Sequence, residues 1–253
     1  MLEIKKVMKA FGGLQAIYDC SLQVQEGSIT GLIGPNGAGK TTLFNLITGF
    51  FRPDAGEIYF KGERIDGLSP NQIFHKKIYR TFQITREFAQ MTVIENLMLV
   101  PTQQAGERIW NTWIRPGTVR KQEKAIKEKA LQVLEFVELI DLRDEYAGSL
   151  SGGQKKLLEL ARSMMADPMM VLLDEPCAGV NRTLMRKLIA NIRKLRDEKK
   201  ITFLIIEHDM DMVMNLCNPV IVMSEGRKLA EGTPEEIKKD ERVLKAYLGG
   251  QYR

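Results

Sequence analysis

Apolar residues along this chain keep two rhythms, and the places where one gives way to the other divide it. IKKVMKAF (4–11) and SLQVQ (21–25) alternate with period two, which marks half-buried strands. After a turn at Glu26-Gly27, ITGLIG (29–34) reads as a short buried strand. A helical period runs from about Thr41 to Thr48 and stops at Gly49, and EIYF (57–60) and IYRTF (78–82) read as further strands. From about 84 to 165 the period is almost wholly helical, with Thr92 and Glu95 spaced as a capping box; Pro101–Gly117, which holds Trp110, Trp113 and Pro116, interrupts it. After Pro168, MMVLLDE (169–175) is an apolar strand closing on acids. A helix of about 17 residues leads from it through Lys194 to ITFLIIEH (201–208), again apolar. Strand, helix, strand predicts a parallel sheet. VIVMSEGRKLAEG (220–232) folds as two strands about Glu225-Gly226, and Thr233-Pro234-Glu235-Glu236 opens the final helix. The pattern predicts an α/β core from 1–83 and 166–253, with a helical insert at 84–165.

Composition narrows the picture little. With 253 residues, 44% hydrophobic and 27% charged, the chain suits one large or two small domains with a substantial core. No apolar run approaches the roughly 20 residues that span a bilayer, and Met1–Ala10 lacks the apolar stretch of a signal peptide, so the expectation is a cytosolic protein. The net charge of +5 would suit nucleic acid or an anionic membrane. Yet the basic residues interleave with acids, as in Glu123 with Lys127 and Lys124 with Glu128, which predicts a solvated helix face. Cys20, Cys177 and Cys217 have no metal-ligand or redox spacing and are expected as reduced thiols.

The chemistry begins at residues 34–41, GPNGAGKT, set between a strand and a helix. In G-x-x-x-x-G-K-T the glycines let backbone amides converge on phosphate oxygens, Lys40 reaches the terminal phosphates and the Thr41 hydroxyl ligates Mg²⁺. The acids closing MMVLLDE supply the other half: Asp174 for Mg²⁺, and Glu175 to orient and activate the attacking water. His208, at the end of LIIEH, is expected near the γ-phosphate; Gln83, after IYRTF, can position water and Mg²⁺ through its amide; His75 has no such context and is left as surface. A further start signal stands at LSGGQ (150–154). Ser151 and Gln154 form a capping box, while Gly152 and Gly153 lower helix propensity and bare a helix N-terminus suited to an anion.

Taken in order, GPNGAGKTT (34–42), Gln83 in RTFQ, LSGGQ (150–154), VLLDEP (171–176) and IIEHD (205–209) resemble the ATP-binding subunits of ABC transporters over nearly the whole chain. The resemblance implies an α/β fold: a P-loop NTPase core with a mainly parallel sheet, an antiparallel β subdomain and a helical insert. It implies that two such domains meet head to tail, each ATP lying between the cradle of one, Gly34, Pro35, Asn36, Gly37, Ala38, Gly39, Lys40, Thr41 and Thr42, and Ser151, Gly152, Gly153 and Gln154 of the other. By the same resemblance Phe11 matches the aromatic that stacks on adenine, Gln83 links nucleotide to membrane subunits and, with Thr41 and Asp174, holds Mg²⁺; Glu175 is the general base and His208 the switch histidine. The chain departs from the family at CAGVNR (177–182), where Asn181 stands in place of an aspartate. RTFQITREFAQMTVIENLMLV (80–100), the tryptophan-containing break, ITFLIIEHDMDMVM (201–214) and AEGTPEEIKKDERVLKAYLG (230–249) resemble more narrowly the ATPases of branched-chain amino-acid importers. Relatives in that subgroup serve amides, urea or lipopolysaccharide export. The implied partners are a second ATPase chain, identical or related, two integral permease subunits and, indirectly, a periplasmic solute-binding protein, at the cytoplasmic face of the inner membrane. The competing reading, a soluble ATPase of this family working on nucleic acid or ribosomes, would call for a second cassette or long coiled-coil insertions.

Overall fold

The computed structural model describes residues 1–81, 87–102, 104–107, 109–114 and 116–249. They pack as two units. The first comprises Met1–Gln83, Met169–Ala178 and Ile192–Arg253, and the second Ile84–Pro168 and Gly179–Asn191. The expected core range, 166–253, thus differs from the packing at both its start and at 179–191.

In the first unit β1 (Leu2–Phe11) and β2 (Leu14–Val24) form a long antiparallel pair, as their alternation predicts. β3 (Ile29–Ile33), buried at every residue, leads through a glycine loop to α1 (Lys40–Ile47). β4 (Ala55–Phe60) pairs with β1 and with the short β5 (Glu63–Arg64), and α2 (Pro70–His75), which the apolar pattern did not announce, precedes β6 (Ile78–Arg80). One four-stranded sheet, in order β2-β1-β4-β5, is antiparallel.

The second unit is helical, with α3 (Val93–Met98), α4 (Ile109–Ile114), α5 (Pro116–Phe136) and α6 (Gly152–Met165). Thr92 and Glu95 close the predicted capping box, with the Thr92 N–H donating to Glu95 Oε2 at 2.8 Å. The stretch expected to interrupt the helices contains α4, whose Trp110 and Trp113 are exposed, and Pro116 begins α5, where its missing N–H leaves nothing unpaired.

The chain returns to the first unit at β7 (Met170–Asp174); α7 (Arg182–Lys199) begins in the second unit and ends in the first, which continues with β8 (Thr202–Ile206), α8 (Met210–Leu216), β9 (Val220–Ser224), β10 (Arg227–Gly232), α9 (Pro234–Lys239) and α10 (Glu241–Gly249). The second sheet runs β10-β9-β3-β8-β7-β6, parallel except at β10. Its central strands are apolar because both faces are covered. Leu32, Leu172, Leu204 and Met223 join Phe44 and Ile47 of α1 in one buried cluster. The helix begun by Thr233 is not the final one. Asp240 leaves the helical region and accepts from the Arg242 N–H at 2.8 Å, so α9 stops and α10 starts.

Register decides what this sheet can do. Leu32 and Asp174 both lie beside Ile206, so the carboxyl ends of β3, β7 and β8 finish level. Whatever follows these strands emerges along one edge, the usual ligand edge of an open parallel sheet. Among the described residues no helix is long and apolar enough to cross a membrane.

Candidate functional site

The glycine loop leaves β3 under tight constraint. Gly39 is the N-cap of α1 with φ 95°, and a Cβ there would lie 2.6 Å from the Ala16 carbonyl; one at Gly34 would lie 2.1 Å from that of Met223. Only glycine fits either place. Lys40 is 6% exposed, and its ammonium donates to the carbonyls of Gly34 at 2.8 Å and Pro35 at 3.0 Å. Burial pulls its pKa below the usual lysine value, and the charges of Glu175 and Asp174 oppose that pull. Between Gly34 and Gly39, Asn36 and Gly37 are exposed, Pro35 is half-buried and Ala38 is buried. No side chain caps α1. Its first-turn amides therefore have a loop and a dipole end to offer, with Thr41 exposed and Thr42 half-buried beside it. From the far end of the chain, the half-buried Tyr247 of α10 meets the Gly34 backbone in a hydrogen bond; burial raises its pKa and that bond opposes the rise.

Next along the edge, Asp174 is 4% exposed and its Oδ2 accepts from the Arg80 guanidinium at 3.0 Å. Arg80 is anchored in turn by Asn45 Oδ1 at 2.6 Å and lies over the Phe44 ring. Burial lowers the Arg80 pKa, and Asp174 opposes the shift by hydrogen bond and by charge. Glu175 turns the chain off the sheet with φ 51°, a strained value for a residue with a side chain. Its N–H donates to the Ile206 carbonyl at 2.9 Å, and its Oε1 lies 2.9 Å from His208 Nε2. His208 stands two residues beyond β8, not at its last position as the apolar run suggested. The buried Glu207 carboxylate accepts the N–H groups of His208 and Asp209, which draws the chain out of the strand. Sequence reading passed over Arg80, Glu207 and Tyr247. An acid closing an apolar strand was a signal applied to Asp174 and Glu175 and equally present at Glu207; Tyr247 had none.

In the second unit Ser151 caps α6 as predicted, its N–H donating to Gln154 Oε1 at 2.8 Å and its Oγ accepting from Gln154 N at 3.4 Å. Ser151 and Gly152 are exposed and Gln154 is half-buried. Gly153 is buried, and a Cβ on it would lie 2.2 Å from Leu184 Cδ1, the movable end of a side chain, whereas a Cβ on Gly152 would meet open space. Asn181 caps α7, its Oδ1 accepting from Leu184 N at 2.9 Å. Phe11 is 41% exposed at the end of β1, its ring edge-on to Phe51 at 5.1 Å, and so is no core residue. Gln83 lies outside the described residues. His75 is exposed, and the three cysteines are buried free thiols.

A glycine cradle with a buried lysine, an acid pair and a histidine thus share one edge of the parallel sheet, an arrangement that can hold a polyphosphate and deprotonate water beside it. Known proteins resemble this chain throughout. The family model for ABC transporters matches residues 17–178, and that for branched-chain amino acid ATP-binding cassette transporters matches residues 227–253. The high-affinity branched-chain amino acid transport ATP-binding protein BraF of Pseudomonas aeruginosa is 42% identical over 249 residues, covering 98% of both chains. LivG of Escherichia coli, of the same description, is 38% identical over 249 residues, again 98% of both. Among solved structures, a nucleotide-free ATP-binding cassette from an ABC transporter superposes with TM-score 0.84 at 39% identity, and an ADP-bound cassette with TM-score 0.84 at 38%; each covers 98% of both chains.

Proposed function

This chain belongs to the ATP-binding cassettes of ABC transporters, and we propose that it is the ATP-hydrolysing subunit of a branched-chain amino-acid importer. It binds and hydrolyses ATP. The observation that carries the chemical assignment is the 2.9 Å pair of Glu175 and His208 on the sheet edge that also carries Lys40.

In this reading the loop from Gly34 to Thr42 wraps the phosphates and Lys40 meets their terminal charge, turning its ammonium from the Gly34 and Pro35 carbonyls. Phe11, exposed at the end of β1, stacks on the adenine. Thr41 and Asp174 would hold Mg²⁺, with Gln83 as a third donor. One hydroxyl and one carboxylate suit a cation that takes most of its ligands from phosphate and water, and the described residues contain no cluster of three acidic, histidine or cysteine ligands that would serve a fully protein-bound metal. The chemistry that Mg²⁺ would supply there is to offset charge on the phosphate oxygens. Glu175 takes the proton of water as its oxygen attacks the γ-phosphorus; the bond to the ADP oxygen breaks, and His208 steadies Glu175 and the transferred group.

Ser151, Gly152, Gly153 and Gln154 serve the nucleotide of a second cassette, identical or related. Because the γ-phosphate then touches both chains only when they are closed, ATP favours the closed pair, and hydrolysis with release separates it. Two permease subunits convert that motion into import, with a periplasmic binding protein delivering solute and this chain at the cytoplasmic face. The near-complete overlap with relatives named for branched-chain amino acid transport supports the substrate class.

Glu175→Gln is expected to keep ATP affinity, lower kcat by about 100-fold or more, and accumulate an ATP-bound dimer on gel filtration. Hydrolysis at the parent rate refutes the base assignment. With permeases and binding protein in vesicles, leucine, isoleucine and valine should stimulate ATPase activity; stimulation by an amide or urea instead refutes the substrate class.

A further inference from the structure

Between the strand and the histidine of the site stands a carboxylate that the mechanism above does not use. Glu207 is 3% exposed and makes no hydrogen bond to the phosphate loop among the described residues. Ending an apolar strand requires no buried charge, and burying one is unfavourable unless polar partners meet it. Here three backbone N–H groups meet it. Cys177 donates to Oε1 at 2.7 Å; His208 and Asp209 donate to Oε2 at 2.9 and 3.2 Å.

The two oxygens serve different loops. Cys177 lies two residues after Glu175, in the loop that follows β7, whereas His208 and Asp209 begin the loop that follows β8. These loops are joined at three levels. The Glu175 N–H reaches the Ile206 carbonyl at 2.9 Å, Glu207 bridges Cys177 to His208 and Asp209, and the Glu175 and His208 side chains meet at 2.9 Å. The first level fixes the backbone of Glu175 in its left-handed conformation, φ 51°. The second fixes the chain on the far side of Glu175 relative to the backbone of His208. Together they leave the acid and the imidazole little freedom to part.

We infer that Glu207 is a positioning residue for ATP hydrolysis, its carboxylate clamping the backbone of Cys177 to that of His208 and Asp209 and so holding Glu175 and His208 in register. This rests on the roles proposed for those two residues. A misplacement on the order of 1 Å lowers rate about 100-fold, so a loosened clamp acts on turnover. The nucleotide loop is held by other contacts, and affinity for ATP is spared.

Steady-state ATPase kinetics of the full-length chain test this, with parent, Glu207→Gln, Glu207→Asp and Glu175→Gln compared, alongside amide hydrogen exchange at Cys177. In Glu207→Gln the amide NH₂ faces at least one backbone donor. The expected result is a kcat at least about 10-fold lower with KM for ATP within about twofold, and faster exchange of the Cys177 amide. Glu207→Asp keeps the charge but falls short of spanning both loops, so it should lose turnover in the same way, and it takes the place of the glutamine variant if that one does not fold. A folded Glu207 variant with parental kcat overturns the inference, as does a matched loss of kcat and ATP affinity with Cys177 exchange unchanged. Unprotected exchange at Cys177 in the parent also overturns it, whatever the variants do. Should Glu175→Gln hydrolyse at the parent rate, the base assignment itself fails, an outcome separate from a failure of the clamp alone.

Discussion

Replacing Arg80 with methionine isolates the energetics of the sheet edge, because it keeps much of the side-chain length while removing the charge that faces Asp174. The two side chains are 6% and 5% exposed and their N–O separation is 3.0 Å. At an effective dielectric of about 20 that separation corresponds to an attraction of about 5–6 kcal/mol. Desolvating both ions costs several kcal/mol each, so the pair contributes little net stability while it is intact. Arg80→Met removes the attraction but leaves Asp174 buried. The expected loss is about 3–5 kcal/mol, a drop in Tm of roughly 6–20 °C for a chain of this size. Urea denaturation followed by circular dichroism at neutral pH measures it. The double variant Arg80→Met/Asp174→Asn, with no charge left to bury, should recover most of the loss. If Arg80→Met alone stays within about 1 kcal/mol of the parent, or if the double variant is no better than the single one, the assigned penalty of an unpaired Asp174 is wrong.

Two further outcomes test other parts of the structure. Asn181→Ala removes the oxygen that accepts the Leu184 N–H at the start of α7 and is expected to cost about 1 kcal/mol, whereas Asn181→Asp, which restores the family's usual residue, should keep the cap and parental stability; equal melting of the alanine variant would show that the cap contributes nothing. Burial, reinforced by the charge of Glu207, pushes the Cys217 thiol from 9.0 up to about 12. The folded chain therefore holds a proton that the unfolded chain releases above pH 9, so this stabilisation is complete below pH 9 and is lost as pH rises towards 12, by about 4 kcal/mol at most. Cys217→Ala should flatten that alkaline decline in a pH series of urea midpoints; an unchanged slope would exclude the thiol as its source.

The strands and the cradle were legible because each rests on short-range pattern. Short continuous apolar runs rich in β-branched residues fit covered strands, and G-x-x-x-x-G-K-T has its lysine and threonine where phosphate and metal call for them. Capping boxes at Thr92, Ser151 and Thr233 were equally local, since a side chain and an amide three residues apart settle them. What escaped was long-range. Gly153 reads from sequence as half of a bared helix tip, and the approach of Leu184, more than thirty residues later, adds a packing neighbour that no local pattern announces. Arg80 and Asp174 are brought together by strand register, which no spacing along the chain expresses. The end of β8 was misplaced by two residues because Glu207 and His208 directly follow an apolar run and read as part of it, while hydrogen bonds to the Glu207 carboxylate end the strand.

The backbone of Glu175 carries a consequence of its own. A residue with a Cβ at φ 51° sits where glycine is at ease, so this position is a local liability of the fold, one that the base role proposed for Glu175 would oblige the chain to keep. With Glu175 as the proposed base, selection for sturdiness alone would drift towards glycine there and lose turnover, whereas selection for turnover would keep the strain, the two pressures opposing each other at a single codon.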